Sequence, residues 1–512
     1  MTPASGNAAS YFVDRHIAEG QSDKVAFKEW GTGRSLTYGA LAQNSGQFAG
    51  ALLRAGIQPE QRIAVLVHDQ IEFPEIFWGG LKSGVIPVLL NTLLAAPLYE
   101  TILNDSRAVA LFVSEALYET VKPILEKNTY LKHVVVVGDA PFGCVSYADF
   151  VAGAEELPTF EASPDEVAFW LYSSGSTGSP KGVTHVHGNL QATADTYGAQ
   201  VLGITSDDIV YSAAKFFFAY GLGNAMTFPM SVGATTILFA GRPTPDVVLD
   251  IIAKENPTLF CGVPTLYAAM VAHMDASGTP KTALRQCISA GEALPENVGQ
   301  RWTALVGTDI LDGVGSTEML HIFLSNAPGD VEYGTSGTAV PGYDLRLVTD
   351  EGSEAGPGEL GELLVRGASS ASGYWNNRSK SRATFEGEWT RTGDKYERRA
   401  DGRYVYCGRT DDMFKVSGIW ISPFEVESAL VNHPAVLEAA VVAHQDDEGL
   451  EKPRAIIVLE ADAPDDLEDI LKQHVKDTIG LWKYPRWIDV VDELPKTATG
   501  KIQRFKLRKD VS

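Results

Sequence analysis

Residues Tyr172 to Val183 read YSSGSTGSPKGV, a run of glycine and hydroxyl residues that ends in Pro-Lys-Gly-Val. The run follows Val167 to Leu171, an apolar stretch that is typical of a buried strand. Glycine lets backbone N–H groups approach an anion without a Cβ in the way, serine and threonine hydroxyls add donors, and Lys181 adds positive charge. The stretch therefore predicts a loop that binds polyphosphate.

Two other interpretations of this stretch fit less well. The familiar P-loop has serine or threonine directly after its lysine, to hold magnesium, whereas Gly182 follows Lys181 here. A flexible linker has a similar content of serine and glycine, but it has no reason to follow an apolar strand at once or to end in Pro-Lys-Gly-Val. The sequence therefore favours a phosphate-binding loop of a different kind.

The composition is that of a globular, acidic protein. The 512 residues are 45% apolar and 21% charged, with a formal net charge of −23. A chain of this length buries one large core and a second, smaller one. The acidic balance argues against a nucleic-acid partner, which requires a basic face. It leaves ATP binding open, because local lysines and magnesium offset the negative field.

Cysteine spacing and the N-terminal sequence predict a cytoplasmic protein without a membrane partner. The four cysteines lie far apart and form no C-x-x-C pair, so we expect neither a disulfide framework nor a zinc site. The N-terminus, MTPASGNAAS, lacks the basic and apolar segments of a secretory signal. The sequence contains no run of about 18 apolar residues that would span a bilayer.

Alternating strand and helix patterns predict an α/β fold. From Val25 to Val137, and again after the phosphate loop, buried apolar runs alternate with helical stretches, which favours parallel strands with helices on both faces. After Asp330, frequent turn residues indicate a small β-rich subdomain. We predict a large N-terminal domain, residues 1–409, of two doubly wound βα subdomains plus the β-rich subdomain. A compact α+β domain, residues 410–512, follows it.

Three further motifs carry candidate chemistry. Asp312 to Glu318 reads DGVGSTE after an apolar run, so we expect it where a strand ends and backbone amides open toward a ligand. Ser289 to Pro295, SAGEALP, ends another predicted strand. Thr392 to Asp394 reads TGD, and a carboxylate there can accept both hydroxyls of a ribose, although the tripeptide alone is a common turn.

Together with the phosphate loop, these motifs resemble in order and spacing those of the adenylate-forming superfamily. That superfamily contains acyl- and aryl-CoA ligases, firefly-type luciferases and the adenylation domains of peptide synthetases. The resemblance extends over about Tyr11 to Arg508. It implies a reaction in which ATP and Mg²⁺ convert a carboxylate into an acyl-adenylate, which then passes to the thiol of coenzyme A. It also implies that the C-terminal domain is a mobile cap.

The resemblance assigns nucleotide contacts to residues of these motifs. Glu318 is the implied Mg²⁺ ligand, Thr317 contacts the α-phosphate, and Thr177 and Lys181 act on the departing pyrophosphate. Val314 departs from the family pattern, because it stands where an aromatic residue covers adenine. The implied ATP- or AMP-binding residues are Ser174, Gly175, Ser176, Thr177, Gly178, Gly291, Glu292, Asp312, Gly313, Val314, Gly315, Ser316, Thr317, Asp394, Arg409 and Lys501.

The resemblance continues into the C-terminal part of the chain. Asp411, in GRTDD, is the implied hinge, and Lys501, in LPKTATGKIQR, is the implied catalytic lysine that bridges the carboxylate and the α-phosphate. In related ligases this lysine is acetylated, so a lysine acetyltransferase is an implied partner whose action removes the charge. The implied coenzyme A contacts are Lys415, Ser417, Gly418 and Trp420.

Two segments indicate an aromatic acid as the substrate. Lys215 to Met230, KFFFAYGLGNAMTFPM, offers flat apolar side chains and glycine gaps, which suit a ring. With Met319 to Asn326, MLHIFLSN, it closely resembles benzoate–CoA ligases and their hydroxybenzoate relatives. The implied lining of the aryl-acid pocket is Phe218, Ala219, Tyr220, Gly221, Gly315, His321 and Ile322.

These expectations amount to a benzoate–CoA ligase that yields benzoyl-CoA, AMP and pyrophosphate. Three alternatives remain open: a hydroxybenzoate- or aminobenzoate-CoA ligase, an aryl-acid adenylating enzyme that loads a carrier-protein thiol, and a non-enzymatic protein that binds an aromatic acid or a nucleotide. The sequence does not fix the ring substituents, because one pocket side chain can change them. A homodimer is compatible with the sequence.

Overall fold

The computed structural model describes residues 6–174, 180–416, 419–446, 450–460, 466–480, 483–496 and 502–508. Internal contacts divide the chain into two compact units. The first comprises Met1–Leu294, Val298–Asp344 and Val365–Thr390, and the second comprises Pro295–Asn297, Leu345–Leu364 and Arg391–Ser512. The boundary predicted between residues 409 and 410 lies inside the second unit and stays a prediction.

Two sheets whose central strands are parallel form the framework of the first unit. The larger has nine strands, in the spatial order Thr338–Ala339, Ile322–Ser325, Ile310–Gly315, Gln286–Ala290, Leu259–Gly262, Ile209–Ser212, Thr235–Leu238, Val25–Glu29 and Ser35–Thr37. The smaller has eight, in the order Gly373–Tyr374, Pro180–Val186, Val167–Ser174, Ile86–Leu89, Arg62–Leu66, Ala110–Ser114, His133–Val137 and Val145–Ser146. The α/β fold class predicted from the alternating pattern is confirmed.

Helices cover the sheets and bury their apolar sides against the strands. Near the start of the chain, Thr37 begins the helix Tyr38–Arg54 by accepting the N–H of Ala40 at 3.1 Å, the N-cap role that threonine favours. The other α-helices up to residue 390 are Arg15–Ala18, Glu72–Lys82, Ala96–Ser106, Glu115–Leu125, Tyr147–Val151, His187–Thr193, Ala219–Leu222, Phe228–Val232, Pro245–Glu255, Pro264–Ser277, Glu296–Val306 and Arg378–Thr384. Three segments have π-helical geometry, namely Ser10–Asp14, Ala194–Val201 and Gly223–Thr227.

The second unit contains most of a five-stranded sheet and a small α+β part. The five strands are Asp344–Val348, Leu360–Arg366, Phe385–Glu386, Trp389–Arg398 and Tyr404–Arg409. The α+β part has a hairpin of Phe414–Val416 and Ile419–Ile421, a sheet of Val436–Gln445, Glu451–Leu459 and Trp487–Val490, and the helices Pro423–Val431, Leu467–Ile479 and Arg504–Leu507. Among the helices in the described parts of the chain, none has the length and apolarity needed to cross a bilayer.

The strand that carries the DGVGSTE motif extends further than the sequence predicts. Ile310–Gly315 is continuous, so the first four motif residues lie within the strand rather than beyond its end. This strand pairs antiparallel with Ile322–Ser325. A Cβ on Gly315 would stand 2.5 Å from the carbonyl oxygen of His321, so glycine is what permits the close pairing. The TGD tripeptide likewise lies inside the strand Trp389–Arg398.

Two glycines, one turn apart in the helix Tyr38–Arg54, pack against the segment that contains Glu155 and Leu157. The N–H of Leu157 donates to the carbonyl of Gly46 at 3.1 Å. A Cβ on Gly50 would lie 1.9 Å from the carbonyl oxygen of Glu155. The helix and this segment can therefore approach backbone to backbone only because both positions lack a side chain.

We expect Gly50→Ala to destabilise the first unit. Alanine gains about 1 kcal/mol of helix propensity, but the collision with a backbone carbonyl forces the segment away, so we expect a net loss of about 2 kcal/mol or more. Thermal unfolding of the purified protein measures the change. Gly356→Ala is the matched control, because the nearest atom to its new Cβ is a flexible Glu359 oxygen at 3.8 Å. Equal stability of the two variants would contradict the packing argument.

Candidate active site

The predicted phosphate loop is closed by a hairpin of the smaller sheet. Val167–Ser174 pairs antiparallel with Pro180–Val186, and Ser174 lies opposite Pro180. The hairpin thus brings both ends of residues 175–179 together. The contacts predicted for Gly175, Ser176, Thr177, Gly178, Ser417, Gly418 and Lys501 fall outside the described residues. Lys415 and Trp420 are opposite each other in the backbone register of the hairpin of the second unit, and their coenzyme A roles stay predictions.

Glu318 and Lys181, both predicted to act on phosphates, converge on Tyr374. The Tyr374 hydroxyl donates to Oε1 of Glu318 at 2.7 Å. The Nζ atom of Lys181 stands 4.9 Å from the centre of the Tyr374 ring, within cation–π distance. Sequence analysis missed Tyr374, because no motif surrounds it. It reaches the site because Gly373–Tyr374 pairs with the strand that follows the phosphate loop.

Glu318 suits magnesium better than a metal that needs several protein ligands. Mg²⁺ typically takes one or two carboxylates and completes its octahedron with substrate phosphates and water. Among the described residues, no group of three or more histidine, cysteine or acidic side chains could hold a metal ion. An ion at Glu318 would therefore depend on ATP for most of its ligands. The Tyr374 bond orients the carboxylate while leaving its second oxygen for the ion.

His185 ties the phosphate hairpin to the segment that carries Glu318. Its ring is fully buried, with Nε2 at 2.9 Å from the Thr317 carbonyl oxygen and Nδ1 at 3.1 Å from Oδ1 of Asn189. Asn189 is fixed in orientation, since its nitrogen donates to the Ala368 carbonyl and its oxygen accepts the N–H of Val186. Burial lowers the pKa of His185 to about 4, so near neutral pH the ring donates to one of its two oxygen neighbours.

Asp312 is a buried carboxyl in the middle of the motif strand. Its Oδ2 accepts the N–H of Leu294 at 3.5 Å, and its Oδ1 has no partner among the described residues. Burial raises the pKa of Asp312 to about 8. The side chain is therefore protonated near neutral pH and can donate a hydrogen bond to a ligand.

The other predicted nucleotide residues of the first unit lie around this strand. Gly313 allows close packing, because a Cβ there would stand 2.9 Å from Cγ2 of Ile322. Ser316 accepts the N–H of Met319 at 3.2 Å, which shapes the turn after the strand. Val314 is half-buried, whereas Gly291 and Glu292 are exposed just past the strand Gln286–Ala290. Their contacts with ATP stay predictions.

Several residues predicted to line the aryl-acid pocket lie around His321. Its Nε2 lies 3.3 Å from the carbonyl oxygen of Tyr220, and its ring is 4.5 Å from that of Phe228. A Cβ on Gly223 would come within 2.3 Å of the His321 ring, so this glycine makes room for the imidazole. Burial lowers the pKa of His321 to about 3, which keeps the ring neutral near pH 7. An uncharged imidazole beside aromatic rings suits an aryl group.

Tyr220 and Gly221 fix the backbone of the aromatic wall. The Tyr220 hydroxyl lies 3.0 and 3.1 Å from the carbonyl oxygens of Ile288 and Gly262, which belong to two neighbouring parallel strands. A Cβ on Gly221 would stand 2.0 Å from the carbonyl oxygen of Lys215. The remaining predicted lining residues are Phe218, which is half-buried, and Ala219 and Ile322, which are buried.

Sequence analysis missed two buried polar residues near this wall. Tyr197 has its ring 5.3 Å from that of His321, and its hydroxyl makes no hydrogen bond within the described structure, although Ser325 is adjacent. Asn224 is 1% exposed, follows Gly223, and has neither amide atom paired among the described residues. Leaving such groups unpaired costs about 1–3 kcal/mol each, so a water or a ligand group is expected there. Tyr197 lies outside the segments that the sequence singles out, whereas Asn224 lies inside Lys215–Met230 but is not among the residues predicted to line the pocket.

In the second unit, the structure brings Asp394 and Arg409 together. Opposed on paired strands, they are joined by a bond from Nη1 of Arg409 to Oδ1 of Asp394 at 2.9 Å. The Asp394 charge raises the pKa of Arg409 above its ordinary value. Two residues predicted to contact one nucleotide are thus neighbours. Asp411 is exposed in the turn that follows.

The sequence matches two known family descriptions. Residues 14–375 match "AMP-binding enzyme" and residues 425–501 match "AMP-binding enzyme C-terminal domain". The chain is 52% identical to a 4-hydroxybenzoate–CoA/benzoate–CoA ligase of Rhodopseudomonas palustris, covering 98% of this chain and 94% of that one. It is also 52% identical to a benzoate–CoA ligase of Thauera aromatica, covering 99% and 96%.

Solved structures resemble the fold along its whole length. A benzoate CoA ligase from Burkholderia xenovorans LB400 superposes with a TM-score of 0.90 at 48% identity, covering 98% of this chain and 99% of that one. An anthranilate CoA ligase, solved in complex with anthranoyl-AMP, gives a TM-score of 0.94 at 41% identity, covering 100% and 98%.

We expect His185→Leu to weaken ATP binding in the presence of Mg²⁺ by about tenfold, because the Thr317–Glu318 segment loses one buried hydrogen bond. Calorimetric titration with MgATP measures the affinity. His187→Leu is a matched control: it is a buried histidine two positions away whose Nδ1 accepts the N–H of Ala8 instead. His185→Gln, which keeps a donor, should recover part of the loss. Equal weakening by the His185 and His187 substitutions to leucine would show that only general packing matters.

We expect Asp312→Asn to change how stability depends on pH. In the folded protein Asp312 keeps its proton up to about pH 8, whereas it titrates near 3.8 when unfolded. The folded state therefore binds the extra proton between these values, and this group lowers stability as pH rises through that window. Relative to the wild type, the asparagine variant should gain about 3 kcal/mol between pH 5 and pH 8. Denaturant unfolding at both pH values measures the difference, and a constant difference would contradict the assignment.

Proposed function

The chain belongs to the family of AMP-binding enzymes, and from this premise we propose that it joins benzoate to coenzyme A. It is an AMP-forming ligase that uses ATP and coenzyme A as substrates, and its products are benzoyl-CoA, AMP and pyrophosphate. The observation that carries the proposal is the 52% identity, over nearly the whole chain, to relatives named as benzoate–CoA ligases. The aromatic wall around Tyr220 and His321 supports the choice of an aryl acid.

In the first step the benzoate carboxylate attacks the α-phosphorus of ATP. A carboxylate is a poor nucleophile toward a polyanion, so the protein must neutralise and align the reacting groups. Lys501 bridges the carboxylate and the α-phosphate, while Thr177 and Lys181 hold the departing pyrophosphate. Bound Mg²⁺ supplies further neutralisation of the phosphate charge. Glu318, oriented by Tyr374, is the residue that would hold it.

Residues from several motifs along the chain hold the nucleotide. Asp394 accepts the ribose hydroxyls, and Arg409, bonded to it, reaches the ribose or the phosphate. Asp312, protonated near neutral pH, donates a hydrogen bond toward the base. Val314 packs on adenine as an aliphatic surface in place of an aromatic ring. These roles rest on the motif positions and on the geometry described above.

In the second step the coenzyme A thiol attacks the acyl-adenylate and AMP leaves. The C-terminal domain, residues 410–512, turns about Asp411 relative to residues 1–409. Lys501 withdraws, and the segment with Lys415, Ser417, Gly418 and Trp420 takes its place to guide the pantetheine arm. Two half-reactions on one bound adenylate require two sets of contacts, which explains a mobile cap on a polar hinge.

The second candidate substrate is a benzoate whose ring carries a hydroxyl or an amine. The Rhodopseudomonas palustris relative is named for 4-hydroxybenzoate as well as benzoate, and the anthranilate enzyme is an aminobenzoate ligase by name. The buried Tyr197 hydroxyl and Asn224 amide would bond such a group. A rival proposal is that the acyl group passes to the thiol of a carrier protein. Analysis of the products formed with and without coenzyme A distinguishes the two proposals.

We place the reaction in the cytoplasm, where ATP and coenzyme A are both available. Acetylation of Lys501 by a lysine acetyltransferase would remove the charge needed for adenylation and switch that step off. An acetyl-mimic Lys501→Gln that adenylates normally would refute this regulation. A homodimer is our expectation for the assembly, and sedimentation equilibrium decides it.

A substrate panel tests the proposed function. Purified protein, ATP, Mg²⁺ and coenzyme A are mixed with benzoate, its hydroxy-, amino- and fluoro- derivatives, cyclohexane carboxylate or octanoate, and AMP release is followed. We expect benzoate to exceed octanoate in kcat/KM by about a hundredfold or more, because a flat aromatic wall favours a ring over a long flexible chain. AMP release with octanoate but with no aromatic acid would show that the fold is right and the assignment of the acid is wrong.

A further inference from the structure

The short loop that ends in Lys501 is closed at its base. Lys496 and Ile502 form an antiparallel bridge, and the N–H of Gln503 donates to the Pro495 carbonyl at 2.7 Å. Lys496 and Ile502, which flank residues 497–501, are therefore held side by side. Lys501 directly precedes Ile502 in the chain. Contacts that hold the returning arm, which consists of Ile502 and the residues after it, therefore also limit where the lysine can reach.

Arg504 holds that returning arm through a bidentate ion pair. Its Nη2 and Nε lie 2.6 and 3.1 Å from the two carboxylate oxygens of Glu427. Glu427 is itself fixed, because its Oε1 also accepts the N–H of Val441 at 2.7 Å and its side chain is 8% exposed. Two parallel bonds from a planar guanidinium fix direction as well as distance.

The same arginine also reaches the residue next to the proposed hinge. Nη1 of Arg504 lies 3.5 Å from Oδ2 of Asp412, and Nη2 of Arg508 lies 2.6 Å from Oδ1 of the same carboxylate. Burial disfavours the charge on Arg504, but Glu427 and Asp412 outweigh it and raise its pKa. One carboxylate beside Asp411 thus binds two arginines that follow Lys501 in the chain.

Apolar packing of the helix Arg504–Leu507 does not account for the ion pairs that Arg504 forms with Glu427 and Asp412. Leu507 and Ile502 already pack into an apolar cluster with Ala440, Val442, Ile456, Val458, Leu494 and Val491. That cluster buries the C-terminal helix without fixing its rotation, because apolar contacts are not directional. An ion network with this burial adds little net stability, so its effect here is to fix one arrangement of the residues it joins.

We propose that Arg504 is a positioning residue for Lys501, which it fixes relative to the hinge through Glu427 and Asp412. The inference rests on the proposed function, in which Lys501 serves adenylation and withdraws before thioester formation. The network makes the base of the lysine loop and the residue after the hinge one rigid body. A turn at Asp411 then carries Lys501 to a defined position instead of leaving the loop to search for it.

The proposal predicts an effect confined to one half-reaction. Arg504→Met should lower adenylation, measured as benzoate-dependent exchange of pyrophosphate into ATP, by about 10- to 100-fold, the cost of misplacing a catalytic group. Conversion of supplied benzoyl-adenylate to benzoyl-CoA should stay within about threefold of the wild type, because Lys501 has left by then. Arg504→Lys should recover only part of the adenylation, since an ammonium lacks the bidentate fork.

Matched variants separate positioning from stability. Arg454→Met removes another ion pair of the same unit, in which Arg454 and Asp489 are 2.5 Å apart and the arginine is similarly exposed, at 23% against 21% for Arg504. It should leave the ratio of the two half-reactions unchanged. Asp412→Asn is a milder change in the network and should lower adenylation without lowering thioester formation. It provides the test if Arg504→Met fails to fold. Lys501→Ala shows how far the rate of adenylation falls when the catalytic lysine itself is removed.

The outcomes distinguish this proposal from the function on which it rests. If wild-type protein adenylates benzoate but Arg504→Met and Asp412→Asn lower both half-reactions equally, the positioning role is wrong and the function stands. If the wild type shows neither half-reaction with any aryl acid, the proposed function falls and the inference falls with it. Selective loss of adenylation in both variants, with the Arg454→Met ratio unchanged, supports the proposal.

Discussion

The contact between the buried His185 ring and the Thr317 carbonyl links the two sheets of the first unit beside Glu318. His185 belongs to the strand that follows the phosphate loop, in the smaller sheet. Thr317 follows the strand Ile310–Gly315 of the larger sheet. This contact, 2.9 Å between Nε2 and the carbonyl oxygen, therefore links the hairpin that flanks residues 175–179 to the segment that carries Glu318. Because both ends are backbone-supported and buried, neither can shift without leaving a polar group unpaired.

Charge, rather than shape, explains why the catalytic groups are distributed as they are. The protein has a net charge of −23, yet its proposed reaction gathers a carboxylate, a triphosphate and a thiol nucleotide. The reacting anions therefore need positive charge close by. Lys181 lies on the strand Pro180–Val186, and its proposed partner is the departing pyrophosphate. The proposed role of Lys501 differs, because its charge helps adenylation but would occupy the path of the thiol.

The sequence predicted the α/β fold class, but not the contacts between distant motifs. Buried apolar runs and the Thr37 cap are local signals, so the two sheets and the first long helix could be predicted from short windows of sequence. Tyr374 and His185 could not, because their partners Glu318 and Thr317 lie 56 and 132 positions away. The protonation of Asp312 likewise depends on burial, which no single motif shows. The strand through Gly315 ran past its predicted end because pairing with Ile322–Ser325 is also a long-range contact.

The acid pocket combines an apolar wall with polar groups that need a partner, and this combination bears on ring selectivity. Apolar surface discriminates weakly between rings that differ by one small substituent, by about 10- to 200-fold. A buried donor or acceptor left without a partner discriminates far more strongly, because the wrong ligand leaves it unsatisfied. The Tyr197 hydroxyl and the Asn224 amide lack partners in the described structure. In the proposed function, a ring hydroxyl or amine would pair with these two groups and an unsubstituted ring would not, so both side chains would contribute to selectivity between benzoate and its polar derivatives.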